Sequence, residues 1–174
     1  MRHAATLLGL AFVGALTLAG AGPAGAQLVN GTFDGGLNGW TVTATGGGGA
    51  MVLSTGNPGP AAYLWDMYDN AGTATLSQTF NCGGGSDGVC FLSLEYATDV
   101  TGGANMAVTV TLDNVVVYSA THPSTVTTYT PVLFSAPCGE HTLAITAGST
   151  ASWGFAHWML ILDNVTASCV PPVS

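Results

Sequence analysis

The sequence contains no lysine or arginine after residue 2. The whole chain has one basic and nine acidic residues, so residues 27–174 carry a formal charge of −9 with histidine neutral. Charged residues make up 6% of the chain, against about 25% in typical domains. Nucleic acids and anionic lipid surfaces are bound mainly through Lys and Arg, so both are excluded as partners. Tight, metal-free binding of acidic or sulfated glycans is disfavoured for the same reason.

Long apolar runs are also lacking, apart from one near the N-terminus. Residues 4–18 are almost all apolar, and small residues at 24–26 form a cleavage pattern typical of export signals. The run is too short for a membrane-spanning helix, and no second run follows. We therefore expect residues 1–26 to be a secretory signal peptide. Residues 27–174 would form one domain, secreted or held at the cell surface without membrane insertion.

Cysteine is scarce but even in number, with four residues. An even count in an exported chain indicates two disulfides, although three pairings are possible. Pairing Cys82 with Cys90 closes a glycine-rich loop. Cys138 precedes one predicted strand and Cys169 follows another, so the two meet if those strands are antiparallel. These pairings are preferred to a zinc site, because no two cysteines have the close spacing of zinc ligands.

Amphipathic helical patterns are absent beyond the leader, whereas period-two alternation is frequent. In the segment 106–112, Met and Val alternate with Ala and Thr, which predicts a strand with one wet face. Asp113 and Asn114 then form a two-residue turn into a second strand. Further strands are predicted near residues 41–45, 50–54, 73–80, 91–98, 115–119, 127–135, 141–146 and 158–167. About nine short strands indicate an all-β protein, an antiparallel β-sandwich or jelly roll.

Two short motifs lie near the ends of the predicted domain. Residues 30–34 read NGTFD and are followed by Gly39-Trp40, and residues 162–165 read LDNV. Over residues 28–168 the sequence resembles the β-jelly-roll carbohydrate-binding modules with a galactose-binding-like fold. Those modules often open with Asn-Gly-(Gly or Asp)-Phe-Glu, then Gly-Trp, and end in Asp-Asn-Val. The resemblance implies that the first and last segments meet, and that the protein binds a neutral carbohydrate without catalysis.

The same resemblance implies a structural calcium ion where the ends of the domain meet. Asp34 and Asp163 would be ligands, with backbone oxygens near Asn30 and Thr32 completing the shell. Calcium takes six to eight oxygen ligands, so carboxylates combined with carbonyls make a plausible set. In the alternative, Asp34 caps a turn and Asp163 accepts backbone hydrogen bonds. This chain has Asp34 where the modules usually have Glu, and we expect it to stand alone, without an attached enzyme.

Aromatic residues are the candidates for sugar contacts, because sugars stack their CH faces on flat rings and present hydroxyls to polar groups. The favoured site is a loop-like stretch in which aromatic and polar residues mix: Trp65, Tyr68, Tyr63, Asp66, Asp69 and Asn70. A second candidate is formed by Trp153, His157 and Trp158. The alternative for each aromatic is packing in the core or a loop, and core packing is expected for Trp40.

The sequence does not indicate an enzyme. A glycosidase needs two carboxylates at a set separation, and the only glutamates, Glu95 and Glu140, lie in no paired motif. A different function is a structural subunit of a surface layer, fibre or biofilm matrix. The chain has several Thr-x-Thr segments, such as 41–43, 73–75 and 109–111. Uncharged threonine-rich β surfaces could self-associate, because little charge opposes it.

Overall fold

The computed structural model describes residues 28–66, 71–83, 87–103, 105–149 and 157–170. Within these ranges the chain forms ten β-strands, and no helix that could span a membrane is present. The strands are β1 (Thr41–Thr45), β2 (Gly48–Gly56), β3 (Gly59–Asp66), β4 (Thr73–Cys82), β5 (Val89–Thr101), β6 (Met106–Leu112), β7 (Val115–His122), β8 (Val126–Pro137), β9 (Gly139–Ser149) and β10 (His157–Val170). The predicted signal peptide, residues 1–26, lies outside the described residues.

The strands form two antiparallel five-stranded sheets. Sheet I has the order β1-β4-β9-β6-β7, and sheet II has the order β2-β3-β10-β5-β8. The all-β sandwich predicted from the sequence is therefore confirmed. Consecutive strands often belong to different sheets, and β10, the last strand, lies at the centre of sheet II between β3 and β5.

The core fills the space between the two sheets. Its large side chains alternate along each strand with residues of the outer faces, as period two requires. The main contributors, each at most 3% exposed, are Leu76, Phe80, Val108, Val110, Leu143 and Ile145 from sheet I and Leu64, Leu92, Leu94, Leu160 and Leu162 from sheet II.

The hairpin of β6 and β7 forms as the sequence predicts. Asp113 and Asn114 connect the strands with φ values of 52° and 66°. Positive φ at both central residues matches the right-handed twist of paired strands, and Asp and Asn tolerate it better than most residues. The prediction is therefore confirmed, with β7 reaching His122, further than expected.

Strand β3 was not expected, because the sequence analysis treats this stretch as a loop. Residues 61–64 are all buried, so neither face shows the polar residues that mark a half-exposed strand. Both faces of β3 carry apolar residues in this stretch, so the run is continuous and alternation cannot detect it. The prediction of a loop for Tyr63, Trp65 and Asp66 is therefore wrong.

The opening and closing motifs meet, as the resemblance implies. The backbone N–H of Val165 donates to the carbonyl of Gly31 at 3.0 Å. A Cβ atom on Gly31 would collide with the Val165 carbonyl, so only glycine fits there. Phe33 and Trp40 enter the core with ring centroids 5.6 Å apart, and the indole N–H of Trp40 donates to the Asn30 carbonyl. Trp40 is 7% exposed, as predicted.

Candidate functional site

The outer face of sheet II carries the side chains that alternate with the core residues along each strand. On β3 these include Tyr63 and Trp65, which flank the core residue Leu64. Strand pairing aligns them with residues of β10 and its neighbours. One row across the sheet contains Gly49, Trp65, Met159 and Asp99, and the next contains Met51, Tyr63, Ile161 and Ala97.

The indole of Trp65 lies against β2 because Gly49 has no side chain. A Cβ atom on Gly49 would lie 2.8 Å from Cζ2 and 3.0 Å from Cε2 of the ring. Trp65 remains partly exposed, while its Nε1 is buried and has no hydrogen-bond partner among the described residues. Contact with Gly49 therefore positions the ring on the face of the sheet.

Beside Trp65 lies an apolar hollow of about 320 Å³. It is lined by Met51, Leu53, Trp65, Asp66, His157, Trp158 and Met159. Met51 and Leu53 are 38% and 41% exposed, so the hollow is open to solvent along β2. The volume falls in the range of about 300–1,000 Å³ that small-molecule sites occupy.

A second, polar hollow of about 380 Å³ lies next to the first on the same face. Its hydroxyl and carboxyl groups come from Thr55, Asp99, Thr125, Thr127 and Tyr129, and its apolar groups include Ala97 and Ile161. Leu53 and Thr55 are two residues apart on β2, as are Met159 and Ile161 on β10. Each pair spans about 7 Å along its strand, so the two hollows are neighbours on this face, and together they are called the groove.

Negatively charged carboxylates surround the polar hollow. Burial raises the pKa of the Tyr129 phenol to about 12, with further contributions from Asp163, Tyr63 and Glu95. No lysine or arginine can balance this charge, because the chain has none after residue 2. The groove therefore offers hydroxyls, carboxylates and one partly exposed indole, but no cationic side chain except histidine.

The buried carboxylate of Asp163 holds the turn between β2 and β3 in place beside the groove. It is 0% exposed, and its two carboxylate oxygens accept the backbone N–H groups of Asn57 at 2.6 Å and Asn164 at 2.7 Å. The side chain of Asn164 donates to the Asn57 carbonyl and to Glu95. These bonds hold the turn over β10, beside Thr55 at the edge of the polar hollow.

The residues predicted to bind carbohydrate have different positions. Trp65 and Asp66 both line the apolar hollow, although Asp66 is only 3% exposed. Tyr63 lies on the same face but is 6% exposed, and its hydroxyl is bonded to Thr55. Trp158 belongs to the core at 2% exposure and only borders the hollow. The other predicted residues, Tyr68, Asp69, Asn70 and Trp153, lie outside the described residues.

Sequence reasoning missed most of the groove, including Met51, Leu53, Thr55, Asp99, Tyr129 and Met159. Their types are ordinary for strands, and only strand pairing brings them to one face. The exposed Met and Leu of β2 could have drawn attention, since alternation places apolar residues on both faces there.

The two acids predicted to hold calcium have separate partners. Asp34 is exposed and accepts a 2.8 Å hydrogen bond from the Thr32 hydroxyl, whereas Asp163 is bonded to backbone N–H groups. The Asn30 carbonyl accepts from Phe33 N–H and the Trp40 indole. Calcium remains a prediction.

The cysteines converge at one end of the sandwich. Cys82 and Cys90 form a disulfide, which confirms the predicted pair. Cys138 and Cys169 are brought together with their Sγ atoms 2.8 Å apart, as thiols. The Sγ atom of Cys82 lies within 4.8 Å of both thiols, but it is bonded to Cys90 and so cannot act as a thiolate ligand. The second disulfide remains a prediction.

The outer face of sheet I is lined by small hydroxyl residues in register. A row of five crosses the whole sheet: Thr43, Thr75, Thr146, Thr109 and Ser119. A neighbouring row contains Thr45, Thr73 and Thr121 with a glycine and an alanine between them. The hydroxyls of Thr75 and Thr146 share a 2.8 Å hydrogen bond, as do those of Thr45 and Thr73. The threonine segments noticed in the sequence thus form one uncharged surface.

Matches to this chain are found among solved structures. No family model matches it, and no curated protein is significantly similar in sequence. A Stig cyclase from Fischerella sp. TAU has a TM-score of 0.58 at 12% identity, and the match covers 87% of this chain and 100% of that one. The enzymatically active domain of tailspike protein 4 from bacteriophage CBA120 has a TM-score of 0.51 at 15% identity. That match covers 82% of this chain and 21% of the tailspike chain.

Several other similar structures are carbohydrate-binding modules. One is TmCBM61, solved with β-1,4-galactotriose, with a TM-score of 0.47 at 15% identity over 83% of this chain and 97% of that one. Others belong to families 4, 16 and 22. The likeness to the cyclase and the tailspike domain shows a shared β-sandwich fold. A shared fold does not determine function, so function has to be argued from the groove.

Proposed function

We propose that this protein is a non-catalytic module that binds a neutral carbohydrate in the groove of sheet II. The observation that carries the proposal is the groove itself. It combines a partly exposed indole, two adjoining hollows and a set of hydroxyl and carboxyl groups, without lysine or arginine. Sugars need flat apolar contact for their CH faces and short polar groups for their hydroxyls.

The charge of the groove supports a neutral rather than an acidic glycan. Asp99 lines the polar hollow, and Asp163 and Glu95 contribute to the electronegative surroundings of Tyr129. A uronic acid or sulfate would be repelled there, because no arginine is present to pair with it. Hydroxyls of a neutral sugar can donate to the same carboxylates.

The proposal is tested by binding of the purified protein to insoluble polysaccharides and to a glycan array. Trp65→Ala should lower the affinity about two- to tenfold, since the contacts of one aromatic ring are worth about 0.5–1.5 kcal/mol. Phe91→Ala is the matched control, because Phe91 is a 49% exposed aromatic outside both hollows of the groove. Circular dichroism establishes that both variants are folded. Equal binding by Trp65→Ala and the unaltered protein would refute the placement of the site.

We also propose that the protein acts outside the cell, since residues 1–26 have the pattern of an export signal. N-terminal sequencing of the secreted protein should begin at Gln27. A product retained in the cytoplasm with Met1 intact would contradict this proposal.

The register of threonines on sheet I favours a second function, that of a self-assembling structural subunit. The face has no charged side chain in its central rows, although the domain carries a net charge of −9. Electron microscopy and sedimentation at high concentration test this. Thr146→Lys, at the centre of the face, should abolish assembly, whereas Thr128→Lys on β8 should not. Dispersed monomers of the unaltered protein would count against the proposal.

A further inference from the structure

The two hollows of the groove differ in chemistry, and this difference bears on the ligand. The polar hollow has hydroxyl and carboxyl groups on both sides, from Thr55 on β2 to Tyr129 on β8. The apolar hollow is lined chiefly by Met51, Leu53, Met159 and tryptophan. A ligand that fills the whole groove therefore needs one polar part and one apolar part.

The apolar hollow is a poor environment for an unsubstituted sugar. Most of its lining is aliphatic, and Met51, Leu53 and Met159 cannot replace the hydrogen bonds that sugar hydroxyls lose on leaving water, each of which is costly to lose. Its hydrogen-bonding side chains are those of Asp66 and His157. Met51 and Leu53 remain 38% and 41% exposed, so apolar surface is left open to water when only the polar hollow is filled. Methionine adapts easily to ligands of irregular shape.

The spacing of the hollows suits a sugar joined to an apolar group. On β10 the step from Ile161 in the polar hollow to Met159 in the apolar hollow is two residues, or about 7 Å. A substituent attached to a sugar in the polar hollow can reach the apolar hollow without crossing another strand, because Met159 and Ile161 lie on the same strand.

We propose that the groove selects glycans that carry an apolar substituent. The sugar contacts the polar hollow and the Trp65 ring, as in the proposed function, and an alkyl, acyl or aryl group attached to it lies in the apolar hollow against Leu53 and Met159. This inference rests on the proposed function, and it specifies the ligand class as substituted rather than plain neutral glycans.

The test compares matched probes by isothermal titration calorimetry of the purified protein. Octyl β-glucoside and octyl β-galactoside, below their micelle concentrations, are compared with the methyl glycosides and with octanol. The better octyl glycoside should bind at least about tenfold more tightly than its methyl counterpart, since burial of two methylene groups already gives about that factor. Leu53→Asn should bring this ratio close to one. Leu133→Asn should preserve it, because Leu133 is a 77% exposed leucine outside both hollows.

The outcomes separate the inference from the proposed function. Equal affinities for octyl and methyl glycosides would overturn the inference and leave carbohydrate binding intact. Octanol that bound as tightly as the octyl glycosides would overturn the proposed function, because the sugar would then contribute nothing. If Leu53→Asn and Leu133→Asn lowered the ratio of octyl to methyl glycoside affinity equally, the placement of the substituent would be overturned.

Discussion

The backbone N–H of Asn57 donates a 2.6 Å hydrogen bond to Oδ2 of Asp163, a residue 106 positions further along the chain. The other carboxylate oxygen of Asp163 accepts from the N–H of Asn164. One buried carboxylate thus connects the turn between β2 and β3 to the central strand of sheet II. Thr55 and Gly56, the last residues of β2 before this turn, line the polar hollow, so the bond also fixes one side of the groove.

Asp163→Asn is expected to destabilise the protein. An asparagine amide has one oxygen, so its NH₂ group would face the N–H of either Asn57 or Asn164, donor against donor. The loss should be about 1–3 kcal/mol in the free energy of unfolding, measured by urea titration. Asp34→Asn should change the free energy little, because Asp34 is exposed. Equal losses in the two variants would show that hydrogen bonding of Asp163 is not the cause.

The same variants separate hydrogen bonding from the predicted calcium. A bound ion would make the melting temperature fall with chelator, and both Asp34→Asn and Asp163→Asn would remove that sensitivity. If no ion is bound and Asp163 acts only through its hydrogen bonds, chelator should leave the melting temperature unchanged. Differential scanning fluorimetry with and without EDTA decides between them.

Gly49→Ala is expected to displace Trp65 and weaken carbohydrate binding. The new methyl group would lie 2.8 Å from the indole, so the ring has to move off β2. Affinity for the best polysaccharide should fall severalfold, and the tryptophan emission should shift. In the Trp65→Ala background the same substitution should have no effect on binding, since the ring is gone. A loss of similar size in that background would mean that Gly49 acts by another route.

Cys138 and Cys169 are expected to be joined in the secreted protein. Their Sγ atoms already lie 2.8 Å apart, and a disulfide would shorten this distance with little movement. The intact mass should be lower by four hydrogens than that of the reduced chain, and non-reducing peptide mapping should find Cys82 with Cys90 and Cys138 with Cys169. Free thiols on Cys138 and Cys169 after export would contradict the prediction.

His141 should contribute to stability only within a limited pH window. Burial lowers its pKa, but the 2.7 Å contact with Asp113 and the hydrogen bond to the Pro137 carbonyl outweigh this and raise it. The stabilisation is therefore present below the unfolded pKa of about 6.5 and lost as the pH rises through the folded pKa. The hydrogen bond to His141 also lowers the pKa of Asp113, so its contribution is lost at the acid end, below about pH 3.9.

This window is measured as the difference in unfolding free energy between the unaltered protein and His141→Gln. It should be largest between about pH 4 and 6.5 and amount to about 0.5 kcal/mol, because Asp113 is half exposed and solvent screens the pair. A difference that did not vary with pH would show that packing, rather than charge, is responsible.

Sequence patterns predicted the features that depend on neighbouring residues better than those that depend on residues far apart in the chain. Strands β6 and β7 were predicted because alternation and an Asp-Asn turn are local signals. Strand β3 was missed because its residues 61–64 are apolar on both faces and therefore show no alternation. In the groove, Trp65 was found from its residue type, but Met51 and Tyr129 were not. Their place depends on the pairing of strands far apart in sequence, which no short pattern encodes.

The central position of β10 in sheet II has a consequence for how the protein is made. The strand begins at His157, near the end of the chain, yet it provides the hydrogen bonds that join β3 to β5. Until it is synthesised, β3 and β5 have no partner between them, and the floor of the groove does not exist. Pairings of such long sequence separation form late and slowly. Sheet II is therefore completed only after β10 has been synthesised, and a product truncated before His157 would lack the floor of the groove.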